Sequence, residues 1–166
     1  MKKILIFLAL STPGIFAAAQ KYQTAAGVRI GSHFGFTVKQ RILKRSTIEG
    51  IFQTNLGSKD YNSLTFLWEQ HQPIIGKGLN LYYGAGIHKG WMVSKYSELE
   101  IKDPAGLSLI AGLEITLGEL NLSFDYKPVL NFSGGQRFFE GQSALSVRYV
   151  LIKGKKKNKF RLFPKK

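Results

Sequence analysis

Apolar and polar residues alternate along most of this chain. Between residues 120 and 127, Leu120, Leu122, Phe124 and Tyr126 share one parity, and Asn121, Ser123, Asp125 and Lys127 share the other. Successive residues of a β-strand point to opposite faces, so such a segment is a ribbon with one apolar and one polar side. The same period recurs in eight segments bounded by turn-forming residues: 22–31, 35–43, 47–56, 62–71, 79–90, 106–117, 120–132 and 142–152. No long stretch carries a helical period. The number of segments is even, and most approach the ~10 residues that a tilted strand needs to cross a bilayer. The pattern predicts an all-β chain: an eight-stranded antiparallel up-and-down transmembrane barrel with short periplasmic turns.

The polar parity decides which face points inward. It mixes glycines such as Gly27, Gly84, Gly86 and Gly112 with charges of both signs at mid-strand. Glycine weakens a strand, and a solvent-facing side has little use for it. A narrow lumen needs it, because large side chains from eight strands cannot all fit inside. The polar side is therefore expected to line the interior. Arg29, Lys39, Glu49, Glu69, Glu114, Asp125, Lys127 and Arg148 are expected to form a lumenal plug of ion pairs and hydrogen bonds. A buried charge is tolerated only when paired, and the signs nearly balance. The competing arrangement is a soluble lipocalin-like barrel, which has the same strand count but turns its apolar residues inward around a small apolar ligand.

The expected links alternate in length. With the first strand starting in the periplasm, the periplasmic links are 44–46, 72–78 and 118–119. The outward links are 32–34, 57–61, 91–105 and 133–141, of which the third is the longest and most charged. Tyr22, Phe36, Trp68, Tyr82, Tyr83, Trp91, Tyr126, Phe132 and Tyr149 collect near strand ends, where an aromatic belt meets a membrane interface.

Charge and composition refine this picture. The stretch MKKILIFLALSTPGIFAAAQ has two lysines, an apolar run too short to span a bilayer and a small-residue end. It reads as a secretory signal peptide at 1–19, cut before Gln20. Residues 20–152 then form the barrel, and 153–166 a disordered basic tail. The net charge of +14 is concentrated: without the leader's two lysines and the tail's eight basic residues, 14 basic residues face 10 acidic ones. The absence of cysteine excludes disulfides and thiolate chemistry.

The pieces AAGVRIGSHFGFTVKQ, STIEGIFQ, LNLYYGAGIHKG, LIAGLEITLGELNLSFDYKPVLNF and GQSALSVRYVL resemble the small outer-membrane β-barrel proteins common in Bacteroidetes. In architecture these are akin to the eight-stranded OmpX/OmpA-type and PorT-like barrels. The resemblance runs from about Lys21 to Leu151, and YYGAGIH, GLE before DYKP, and ALSVRY are its most specific parts. It implies an eight-stranded barrel with a polar interior in the cell outer membrane, and it brings no catalytic motif. One departure is that fourteen residues follow Ile152, whereas such barrels usually end at or just after the last strand.

Candidate site chemistry adds little to this picture. His71 and His88 share polar parity on neighbouring segments but lie toward opposite ends, so a shared metal site is not expected. A lipid A-modifying enzyme would need a serine within reach of a base. Ser32–His33 is the local pair, and it has no evident acid partner. The glycine-rich GAG and SGGQ lack the setting of a phosphate loop. The expectation is a non-enzymatic envelope protein with no cofactor. Its partners would be outer-membrane lipid, other envelope proteins or cell-wall polymer, and export argues against nucleic acid. The basic tail suits anionic headgroups.

Overall fold

A computed structural model describes residues 22–54, 61–75, 78–92, 103–135 and 137–154. The expected leader and all but the first two residues of the expected tail lie outside these residues, as does most of the long third outward link. Eight strands follow one another: β1 Tyr22–Gly31, β2 Phe34–Arg41, β3 Ser46–Thr54, β4 Tyr61–Ile75, β5 Leu79–Met92, β6 Ala105–Leu117, β7 Leu120–Ser133 and β8 Phe139–Lys153. Each pairs antiparallel with its chain neighbours. β1 also pairs with β8, with Val28 opposite Val147, and closes the barrel. Closure leaves no unpaired edge.

The turns follow from local chemistry. β6 and β7 are joined by Gly118 and Glu119, with Leu117 opposite Leu120. Gly118 has φ +63° at the first central position, where a type II′ hairpin requires glycine. β4 continues beyond the expected end at residue 71 and passes through Pro73, which lies opposite Asn80 just before a register shift. Proline is accepted there because the ladder is already breaking up. β8 starts at Phe139 rather than residue 142, and it ends at Lys153, which pairs with Tyr22 rather than opening the tail.

The outward parity is apolar and open. Phe36, Phe66, Ile87, Leu109, Phe124 and Leu145 are each about half exposed or more. The inward parity carries the charges, and every one of the eight predicted interior residues is buried. The interior also holds an aliphatic layer that was not expected: Ile51, Leu67 and Ile110 pack with Tyr82.

Two members of the expected aromatic belt are inside. Tyr82 keeps the parity of Gly84 and Gly86 and is fully buried. Tyr22 is turned inward because register shifts on either side of Thr24 put both Tyr22 and Ala25 on the inner face. The other seven belt residues are exposed on the wall.

The inward glycines have a second reason besides the expected one. A Cβ on Gly86 would strike the Phe66 carbonyl, and one on Gly27 the Val147 carbonyl. What the missing side chain allows is close approach of the neighbouring strand, not merely room in the lumen. Gly86→Ala is expected to cost about 1–3 kcal/mol, because both colliding groups are backbone in a closed ladder. Urea unfolding of the variant in lipid vesicles measures it, and an unchanged midpoint counts against the close approach.

Candidate functional site

The interior residues form two linked centres. In the first, Asp125 on β7 is the hub. The Arg29 guanidinium on β1 donates to both of its oxygens, Nη1 to Oδ2 at 2.7 Å and Nη2 to Oδ1. The Tyr82 hydroxyl on β5 donates to Oδ2 at 2.8 Å. A forked arginine–carboxylate pair fixes orientation as well as distance.

The second centre surrounds Lys39 on β2. Its Nζ lies 2.8 Å from Glu69 on β4, 3.4 Å from Glu114 on β6 and 3.5 Å from Glu49 on β3. The same ammonium sits 3.9 Å above the Tyr82 ring, so one tyrosine touches both centres. Arg148 on β8 donates to Glu49 Oε1 at 2.6 Å, to Ser123 Oγ at 2.8 Å and to Asn121 Oδ1 at 3.2 Å. Thr37 donates to the same Glu49 oxygen. Tyr22 donates to Glu114 Oε2 at 3.0 Å. His71 is stacked on Tyr82, with Nε2 3.3 Å from Glu69 and Nδ1 3.7 Å from Glu114.

Seven of the eight predicted residues are thus joined in ion pairs, three cations with four carboxylates. Lys127 is the exception. It is buried, yet its ammonium is held by the neutral oxygens of Gln53 and, at 3.3 Å, Thr65. Tyr22, Tyr82, Thr37 and His71 complete the network and were not predicted as members. Parity already placed Tyr82, Thr37 and His71 on the inner face, so a signal for them existed. Tyr22 had none, because its position depends on the irregular register.

The remaining histidines lie toward the opposite rim. His88 is bracketed by Ser108 Oγ at 2.9 Å from Nδ1 and Asn131 Oδ1 at 2.8 Å from Nε2. An amide oxygen accepts only from a protonated nitrogen, so Nε2 carries the hydrogen and Ser108 donates to Nδ1. The order Ser–His–Asn matches that of an activated nucleophile, but the serine is fully buried inside the wall. Here it fastens β5, β6 and β7 together. His33 has Glu140 3.9 Å away, an acid partner that the sequence reading did not find. Ser32 is not part of that pair: its hydroxyl bonds the Ser143 backbone. His71 faces Tyr82 and His88 faces Thr65 across the β4–β5 ladder, which separates the two histidines. Among the described residues no group of three or more His, Asp or Glu is arranged to hold a metal ion.

The chain has the architecture of known membrane barrels. The N-terminal β-barrel domain of Pseudomonas aeruginosa OprF superposes with a TM-score of 0.62 at 13% identity, over 78% of this chain and 98% of that domain. A de novo designed transmembrane β-barrel superposes with a TM-score of 0.54 at 14% identity, over 79% of this chain and 98% of the design. No protein-family model matches, and no curated protein matches. At these identities the likeness establishes the fold: an all-β chain of eight antiparallel strands closed into a barrel.

Proposed function

We propose that this chain is an integral outer-membrane protein with a filled interior and a structural or interaction role in the cell envelope. The observation that carries the reading is the inversion of the barrel. Phe36, Phe66, Ile87, Phe124 and Leu145 stand open on the outside while Arg29, Lys39, Glu49, Glu69, Glu114, Asp125 and Arg148 pair inside. In water that wall is an aggregation surface, whereas in hydrocarbon it is the expected face of a membrane barrel. An apolar carrier needs the reverse, and ion pairs occupy the space its ligand would take. Side chains fill an eight-stranded barrel, so the proposed protein is not a porin. The buried Ser108 supports a non-enzymatic role. The pieces LNLYYGAGIHKG and ALSVRY support the small Bacteroidetes-type kind.

Fractionation tests the reading. The expected result is recovery in the outer-membrane pellet, solubility only with detergent, and a gel mobility that changes on boiling. A monomer stable in buffer without detergent overturns it.

A further inference from the structure

The pairing of charges inside the barrel leaves one group over. Lys127 is buried, and no ion pair joins it to a carboxylate among the described residues. Its Nζ donates to the Gln53 oxygen and, at 3.3 Å, to the Thr65 hydroxyl. An ammonium has three N–H donors, so one is left uncommitted. A buried charge needs a counter-charge as well as hydrogen bonds.

The interior carboxylates are all engaged elsewhere. Asp125 lies two residues away on the same face of β7, but Arg29 takes both of its oxygens and Tyr82 adds a further bond. Glu49, Glu69 and Glu114 lie with Lys39 and Arg148 on the side where β1 begins. The layer of Ile51, Leu67 and Ile110 separates them from Lys127. Glu140 stands at the mouth where β1 ends, partly exposed. It accepts from Gln142 at 3.0 Å and lies 3.9 Å from His33. His88 is neutral, since Ser108 donates to one ring nitrogen and the other donates to Asn131.

The surroundings of Lys127 define what can compensate it. Lys127 stands between the aliphatic layer and the mouth where β1 ends. Toward that mouth the inner face carries Gly31, Gly35, Gly90 and Gly106, which project no side chain into the lumen. The Arg29 guanidinium, tied to β7 through Asp125, keeps a second unused donor, its buried Nε. The surplus is a single positive charge beside a few N–H groups and an apolar floor. That combination suits a compact, weakly hydrated monovalent anion. Phosphate and sulfate carry more charge and call for more donors. A bulky organic anion does not fit around an ammonium that is only 1% exposed.

We propose that the lumen binds a halide ion, chloride in its natural setting, at Lys127 Nζ, between the aliphatic layer and the mouth where β1 ends. The site goes beyond the envelope role and depends on the interior alone, not on what surrounds the wall.

Bromide substitutes for chloride and scatters X-rays anomalously, which locates it directly. The full mature chain crystallised from detergent with sodium bromide should show an anomalous peak in contact with Lys127 Nζ. Crystals of Lys127→Met should lack it. Urea unfolding in lipid vesicles gives an independent readout. At constant ionic strength, exchanging gluconate for bromide should raise the parent's midpoint progressively, because a ligand held only by the folded state stabilises it. Lys127→Met should not respond. Without bromide it should unfold at or above the parent's midpoint, which also shows that the variant folds. If it does not fold, the anomalous peak in the parent decides alone. Bromide confined to the outer surface overturns the proposal, and so do equal midpoint shifts in parent and variant. A chain that proves soluble without detergent removes the membrane reading instead, and the same two measurements then apply in plain buffer.

Discussion

Replacing Asp125 with leucine is expected to destabilise the barrel by about 3–5 kcal/mol, seen as a lower urea midpoint in lipid vesicles. Asp125 takes both forks of Arg29 and the Tyr82 hydroxyl. Without it Arg29 keeps Ser146 at 3.5 Å, and its guanidinium is completely buried. An unpaired buried cation costs far more than the pair it came from contributed. Two further variants separate charge from packing. Lys127→Met should be close to neutral or stabilising, since the lysine is held by uncharged oxygens and the methionine restores apolar volume. Arg29→Leu combined with Asp125→Leu should recover part of the loss, because neither charge is then stranded. If Asp125→Leu unfolds like the parent, water reaches Arg29 and the interior is not sealed around it.

That contrast between Asp125 and Lys127 marks how far the sequence could be read. Alternation placed both on the inner face of β7, two residues apart, and their burial follows from parity alone. Their partners do not. Lys39 and Glu49 face each other across adjacent strands, so strand order and register suffice to pair them. Lys39 with Glu114, or Arg148 with Glu49, meet across the barrel, and those meetings depend on how the strands are staggered on closure. Period-2 patterning contains no information about stagger.

The same limit explains the aliphatic layer. Leu67 lies between Thr65 and Glu69 in parity and was bound to point inward, but its chemistry resembles the outer face, so the pattern alone gave it no role. Tyr22 was lost to a break in register, and the inward glycines, placed correctly by parity, gave no hint of a backbone contact that exists only after neighbouring strands pack. Strand boundaries were legible where a turn residue ends a ladder, as at Gly118. They were not where the ladder runs on past a proline, as at Pro73.

Val147→Arg probes the other face, and its effect depends on the surroundings. Val147 lies outward on β8 between Val28 and Leu122, toward the middle of the wall. On a surface in water such a change is worth within about 0.5 kcal/mol either way. In a bilayer near the midplane it should cost about 2–4 kcal/mol, falling to roughly 0–1 kcal/mol near an interface. Leu151→Arg supplies the comparison, because Leu151 is outward on the same strand but two residues from its end at Lys153. A steep difference between the two in vesicle-based unfolding, with Val147→Arg the costlier, is the signature of hydrocarbon around the barrel. Equal and small effects would mean that water, not lipid, faces Val147. The outward phenylalanines and leucines would then have to be covered by something else.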